Sequence, residues 1–227
     1  MRVVASFYAL ADTAARVGEG LVEVTNLTRA GIEPHEVELT SRDIDEIADA
    51  EVLLYVGGGF QPAVASAAEN VREDESIDVG RAVGLDGSDP HFWLDLGLME
   101  KSVIVVRDAL TDADPENAQR YEENAAAYIG ELTALDQRYE STFATCARRE
   151  FVTAHEAFGY LATRYKLSQH AISGVTPDAE PSPARRAEWV RLVRDNSVTT
   201  VFYEELVPRD FADLAQGARR SPRTARG

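Results

Sequence analysis

The chain has 227 residues, 44% of them hydrophobic, which is long enough for one large domain or two smaller lobes. It carries 23 Lys and Arg against 39 Asp and Glu, a formal net charge of −16, and its only lysines are Lys101 and Lys166. That balance argues against a surface for nucleic acid or anionic lipid, and makes cations the natural partners of the field; a salt-adapted, halophilic surface has the same composition.

The single cysteine, Cys146, excludes an internal disulfide and a Cys-rich zinc site. No apolar run reaches about 18 residues, so no transmembrane helix is expected. The opening "MRVVASFYAL" lacks the charged and apolar regions of a signal peptide. As written, the chain is expected to stay in the cytoplasm.

In chain order, "RVVASF" (2–7) reads as a short β-strand and "YALADTAARVG" (8–18) as a helix closed by Gly18. "LVEVTNL" (21–27) alternates apolar and polar residues, as a strand does. A loop containing "GIEPHEVEL" (31–39) follows, and "TSRDIDEIADA" (40–50) is a helix capped by Thr40 or Ser41. "EVLLYV" (51–56) is a buried strand stopped by Gly57, Gly58 and Gly59. This β-α-β-α-β rhythm predicts a parallel sheet flanked by helices.

"DPHFWLD" (89–95) opens a helical segment reaching about Leu110. In "DADPEN" (112–117), Asp114 is the expected N-cap and Pro115 the first helical residue. From there Tyr121, Ala125, Tyr128, Leu132, Leu135, Tyr139 and Phe143 recur at steps of three or four. They form one apolar stripe on a helix of about 30 residues, roughly 45 Å long. Such a helix is expected to connect two lobes, with coiled-coil pairing as the competing reading. The α/β rhythm then resumes with a strand at 150–155, a helix at 156–165, a strand at 168–173, a Pro-rich loop at 174–183, a helix at 184–196 and a strand at 198–206.

Three of the four histidines sit where an open α/β sheet presents functional groups. His35 follows a strand, His91 starts a helix and His155 ends an apolar strand. No pair has the i, i+4 spacing of a helical zinc motif, so a shared site would have to be assembled by folding. Three imidazoles suit zinc, and also other late first-row ions.

"GIEPHEVEL", "DPHFWLD", "TAHEAFGYLATRYKL" and "GVTPDAEPSP", taken in order, resemble four signatures of the metal-binding receptors of ABC-type zinc and manganese importers, the adhesin-like lipoproteins. The resemblance extends through "SFYALAD", "DPENAQRYEENAAAY" and "TVFYEE", from about residue 2 to residue 215. It implies two α/β lobes joined by a rigid long helix, with one metal ion in a cleft between them. By this likeness His35, His91 and His155 are the metal ligands, and His155, where manganese-type members carry Glu, favours Zn²⁺ over Mn²⁺. His170 matches no ligand position. Trp93 and Phe158 are read as packing, Glu33 and Glu36 as solvated residues that could also orient an imidazole, and Pro34 and Pro90 as aiming their loops.

The family's fourth ligand, an Asp, would lie beyond residue 227, so the second lobe is expected to be incomplete and its fourth position open to water, Glu204, Glu205 or Asp210. The last stretch, "GARRSPRTARG", holds four arginines and no acid, leaving residues 1–216 with 19 cations and 39 acids, a net of −20. That tail is expected to be an aberrant terminus. The expected organisation is an N-terminal α/β lobe (1–110), a connecting helix (111–147), a partial C-terminal α/β lobe (148–216) and the basic tail (217–227).

The function implied is capture of Zn²⁺, with Mn²⁺ as the alternative ion, for delivery to an ABC importer permease by a monomer. Such a receptor works outside the cytoplasmic membrane, touching it only through an anchor this chain does not show. Imidazoles ligate as neutral bases, so binding should weaken as pH falls through about 6.5. A decayed or structural copy of a receptor, and a zinc hydrolase or lyase with Glu156 as base, are the other readings. No catalytic residue is assigned.

Overall fold

The computed structural model describes residues 1–71, 76–85, 87, 89–176, 184, 187, 191 and 200–202. The expected helix at 184–196, most of the strand at 198–206, most of the Pro-rich loop, the candidates Glu204, Glu205 and Asp210, and the basic tail lie outside the described residues. The chain divides into two compact units, Met1–Thr142 and Phe143–Gly227.

The first unit is built on four parallel strands, β1 (Arg2–Ala5), β2 (Glu23–Asn26), β3 (Val52–Tyr55) and β4 (Ser76–Asp78), in the order β2-β1-β3-β4. Val4 pairs with Thr25 on one side and Leu53 on the other. β1 and β3 lie in the middle, which is why they read as apolar runs: Val3, Val4, Ala5, Val52, Leu53 and Leu54 are all buried. β2, at the edge, is half-buried and keeps polar residues.

Helices α1 (Tyr8–Gly18), α2 (Ser41–Asp49) and α3 (Pro62–Val71) connect the strands, and α4 (Val79–Ala82) and α5 (Leu96–Ala113) follow the last of them. α3 and β4 fall in a stretch that carries no clear pattern. Four of the ten residues of α3 are alanine, with little contrast between its faces, and β4 is only three residues long.

The long helix α6 runs Ala118–Ala144, 27 residues, and its expected stripe is present, with Tyr121, Ala125 and Leu132 buried. Its first turns face α1. Asn124 Nδ2 donates to the Val17 carbonyl at 2.9 Å, Arg16 pairs with Glu131 at 2.9 Å, and the Arg16 guanidinium lies 4.6 Å from the centre of the Tyr128 ring. Asp114 is the N-cap and Pro115 the first residue, as expected, of the turn that leads into this helix, but the Asp114 side chain makes no capping bond to the backbone. A 3₁₀ turn (Pro115–Asn117) precedes α6, and the Asp114 carboxylate accepts instead from Asn117 Nδ2 at 2.7 Å and from the hydroxyl of the fully buried Tyr121 at 2.8 Å. A buried hydroxyl needs a partner, and that demand takes the carboxylate away from the backbone.

The second unit carries β5 (Glu150–Thr153), α7 (Gly159–Arg164), β6 (Ser168–Ala171) and β7 (Val201–Phe202), a parallel sheet ordered β6-β5-β7. Val152 is fully buried between His170 and Val201.

One buried carboxylate holds both ends of the loop that carries His35. Asp43, in the first turn of α2, accepts from the Thr40 backbone N–H and hydroxyl, each at 2.7 Å, which with the return bond to Thr40 completes a capping box. The same carboxylate takes Arg29 Nη2 at 2.8 Å, from the start of the loop. Burial pushes the Asp43 carboxyl up, but the Thr40 hydrogen bonds and the Arg29 charge outweigh it and hold the group below the ordinary carboxylate range. The resulting stability is present above the unfolded value of about 3.9 and is lost as pH falls through the lower folded value. Asp43→Asn is expected to cost about 2 kcal/mol in urea unfolding, with the difference from wild type shrinking below about pH 4.

Candidate metal centre

In the first unit both expected histidines project from the C-terminal edge of the parallel sheet, where the strands end and the loops begin. His35 is the middle residue of a 3₁₀ turn, Pro34–Glu36, started by Glu33, whose carboxylate accepts from the His35 N–H at 3.5 Å. Pro34 takes the position where a missing N–H costs nothing. His91 precedes a second 3₁₀ turn, Phe92–Leu94, and is buried.

The two rings meet, with Nε2 of His35 3.2 Å from Nε2 of His91. The His91 ring is fixed from behind. Asp89 Oδ1 accepts the His91 backbone N–H at 3.0 Å and lies 2.7 Å from ring Nδ1. A carboxylate only accepts, so it places a proton on Nδ1 and leaves the Nε2 lone pair facing His35. Two imidazole lone pairs at this separation repel unless a proton or a metal ion lies between them. A proton on His35 Nε2 meets that need by donating to His91, and a metal ion held by both nitrogens would meet it too.

Aromatic rings close the site on its sheet side. Phe60 meets His35 edge to face at 4.7 Å, and Trp93 meets His91 at 5.2 Å. Phe7 bridges the two, 5.3 Å from Phe60 and 4.7 Å from Trp93. Trp93 is packing, as expected, but it packs directly on a candidate ligand. Phe60 reaches its place because the chain turns sharply after β3. Gly58 and Gly59 adopt φ of 68° and 88°, and a Cβ at Gly57 would collide with the Asp78 carboxylate that accepts the Gly57 N–H at 3.1 Å.

Of the two acids flanking His35, Glu33 is largely buried and its Oε1 lies 4.0 Å from His35 Nε2, whereas Glu36 is exposed. Asp89 belongs to a motif visible in the sequence, but its role required the ring geometry. Phe7 and Phe60 gave no signal, since a lone aromatic after a strand reads as core.

In the second unit, His155 lies two residues beyond β5 and is buried. Its carbonyl accepts from Thr153 Oγ1 at 2.7 Å and Gln169 Nε2 at 3.0 Å. The next residue, Glu156, donates its N–H to the Gly174 carbonyl at 2.9 Å and exposes its side chain. His155 thus stands at the C-terminal edge of its own parallel sheet. His170 sits within β6, with Nε2 3.9 Å from Glu150 Oε2 of the neighbouring strand, in a structural position. Phe158 packs against Phe151, their ring centres 6.1 Å apart.

Parallel α/β units with a long helix and imidazoles at the strand ends define the class: an α/β protein with histidines gathered beyond the carboxyl ends of its strands. The chain belongs to the ZnuA family, described as zinc-uptake complex component A, periplasmic, whose model matches residues 3–223. It is 31% identical to the high-affinity zinc uptake system protein ZnuA of Bacillus subtilis, over 94% of this chain and 73% of that one. It is 33% identical to the zinc-binding lipoprotein AdcA of Streptococcus pneumoniae, over 94% of this chain but only 47% of that longer protein.

Among solved structures, the laminin-binding protein Lbp of Streptococcus pyogenes superposes with a TM-score of 0.87 at 29% identity, covering 96% of this chain and 86% of that one. The Zn(II)-bound ZnuA-like domain of Streptococcus pneumoniae AdcA gives 0.81 at 34% identity, covering 96% and 84%.

Proposed function

We propose that the protein is the extracytoplasmic solute-binding receptor of a zinc ABC importer, and that His35, His91 and His155 share one Zn²⁺ as cargo. The observation that carries this reading is the facing Nε2 pair, with the Asp89 carboxylate behind His91. A carboxylate on the far nitrogen of an imidazole fixes its tautomer and raises its basicity toward a metal. Family membership supports the uptake role, and His155 stands at the equivalent edge of the second sheet.

Zinc is the favoured ion because three neutral nitrogens suit a borderline-soft cation, whereas Mn²⁺ prefers carboxylate and water oxygen. The role is capture and release to a permease, with no bond made or broken in the cargo. The one neighbour that the sequence offered as a base, Glu156, is exposed to solvent. The receptor is proposed to act as a monomer on the outer side of the cytoplasmic membrane, in keeping with the family's periplasmic description.

Titration of the metal-stripped protein in a chelator competition assay is expected to show one equivalent of Zn²⁺ bound more tightly than Mn²⁺. Affinity should fall at least a hundredfold in His91→Ala and in His155→Ala. No stoichiometric uptake of either ion would sink the receptor reading, and full affinity in His155→Ala would remove that residue from the ligand set.

Asp89→Ala keeps every proposed ligand but frees the His91 ring. Zn²⁺ affinity is expected to drop by about 10- to 100-fold, measured in the same assay. An unchanged affinity would show that the carboxylate does not orient the ring.

A further inference from the structure

The loop that delivers His35 has little of its own to hold it. Arg29, Ala30, Gly31 and Ile32 are exposed, Gly31 takes a φ of 84°, and Pro34 has no N–H to donate. Asp43 fixes its two ends. Beyond His35, Val37 is buried in one core cluster with Leu27, Ile47 and Leu53. Just before His35, the Pro34 carbonyl is held by a buried side chain, Gln61, which lies between the glycine turn after β3 and the start of α3.

Gln61 is 1% exposed. Its amide nitrogen donates to the Pro34 carbonyl at 3.0 Å, and lies 3.4 Å from both the Ser6 carbonyl and Thr28 Oγ1. The Thr28 hydroxyl donates in turn to the Ser6 carbonyl at 2.7 Å. One amide thus ties the residue preceding His35 to the ends of β1 and β2. Two of its three neighbours are carbonyl oxygens, which only accept. The amide cannot be turned over without setting oxygen against oxygen, so its orientation follows from its surroundings.

The arrangement is costly. Among the described residues no donor reaches Gln61 Oε1, although that atom is buried. An orphaned buried acceptor destabilises a fold by about 1–3 kcal/mol, a loss an apolar side chain of similar length would avoid. What the amide provides and an apolar residue cannot is the grip on Pro34. The preceding residue, Phe60, packs its ring edge on the His35 imidazole. Two consecutive residues therefore hold the ligand, one at its ring and the other at the backbone just before it.

We propose that Gln61 is a positioning residue for ion capture: its buried amide pins the Pro34 carbonyl and thereby sets His35 Nε2 against His91 Nε2. The proposal rests on the zinc reading above. A ligand loop that is free to drift must be ordered again each time an ion binds, which weakens affinity and speeds release without removing any donor.

The test compares wild type, Gln61→Met, Gln61→Asn and Val64→Ala in the full chain. Met keeps the length and removes the donors; Asn keeps the amide but shortens its reach. Val64 is a fully buried residue of α3 in the core cluster that also holds Val37 of the loop, so its truncation reports a loss of packing that leaves the tie to Pro34 intact. Zn²⁺ affinity is measured by chelator competition, release by stopped flow, and apo-protein stability by thermal unfolding. Both Gln61 variants are expected to bind about tenfold more weakly and to release faster, while Val64→Ala lowers Tm and leaves affinity within twofold.

Affinity within twofold of wild type in Gln61→Met or in Gln61→Asn would overturn the proposal. So would equal weakening in Val64→Ala at equal loss of Tm, which would make the effect one of general stability. If wild type itself binds no Zn²⁺, the receptor reading fails and the positioning role fails with it. If wild type binds and the Gln61 variants match it, only the positioning role is lost.

Discussion

Two imidazole nitrogens held 3.2 Å apart set the requirement that the first unit answers. When neither Nε2 carries a proton the facing lone pairs repel, and a free histidine has rotamers to spare. Holding them together needs support from outside both side chains. The sheet supplies it: β1 and β3 are buried at its centre, and the loops leaving its C-terminal edge are tied back by Asp43, Asp89, Phe60 and Trp93. Each tie acts on a different degree of freedom. Asp43 fixes the loop ends, Asp89 fixes the tautomer and tilt of His91, and the aromatic edges block ring rotation. A metal that binds here finds its donors already gathered, so less of its binding energy is spent on ordering them.

Much of this was legible in the sequence, for reasons that follow from burial. β1 and β3 announced themselves because both faces are covered, which demands unbroken apolar runs. α6 was legible because one helical face repeats Tyr121, Ala125 and Leu132 at helical steps. α3 and β4 were not, since alanines give no contrast and three residues give no period. His35 and His91 stand 56 positions apart, so no spacing rule joins them; only their flanking motifs did. Gln61 and Phe60 could not be found at all, because their importance lies in contacts with Pro34 and His35 that exist only after the sheet has brought the end of β3 beside the end of β2. Asp114 shows a local rule that holds for position and not for bonding: it is the N-cap of the turn before α6, yet its carboxylate serves a buried tyrosine hydroxyl that needs an acceptor.

The second unit solves the same problem with the same chemistry. Beyond the last ladder bond of β5 the backbone carbonyls lose their strand partners, and a buried carbonyl must find another. Thr153 and Gln169 supply donors to the His155 carbonyl, while Ser173 serves Ala154 at 3.0 Å. A side-chain amide thus anchors the histidine segment in each unit, at Pro34 in one and at His155 in the other. In both cases the donor comes from a different element than the histidine, so the ligand segment is held by the folded sheet and not by its own turn.

The acidic surface bears on selectivity in a way the net charge hides. A charge of −16 draws every cation toward the protein and distinguishes poorly among them. Discrimination has to come from the donors themselves. Asp89 stands behind its imidazole, engaged with the His91 backbone and ring, whereas Glu33 starts the His35 turn with its carboxylate 4.0 Å from Nε2, the nitrogen that faces His91. The nitrogens face each other beside aromatic rings, an arrangement that offers a nitrogen-seeking ion two ready partners. Long-range attraction and short-range choice are thus carried by different residues. Changing surface acids should alter how fast cations arrive, whereas on the proposed reading which one stays would be set by the imidazoles and the side chains that aim them.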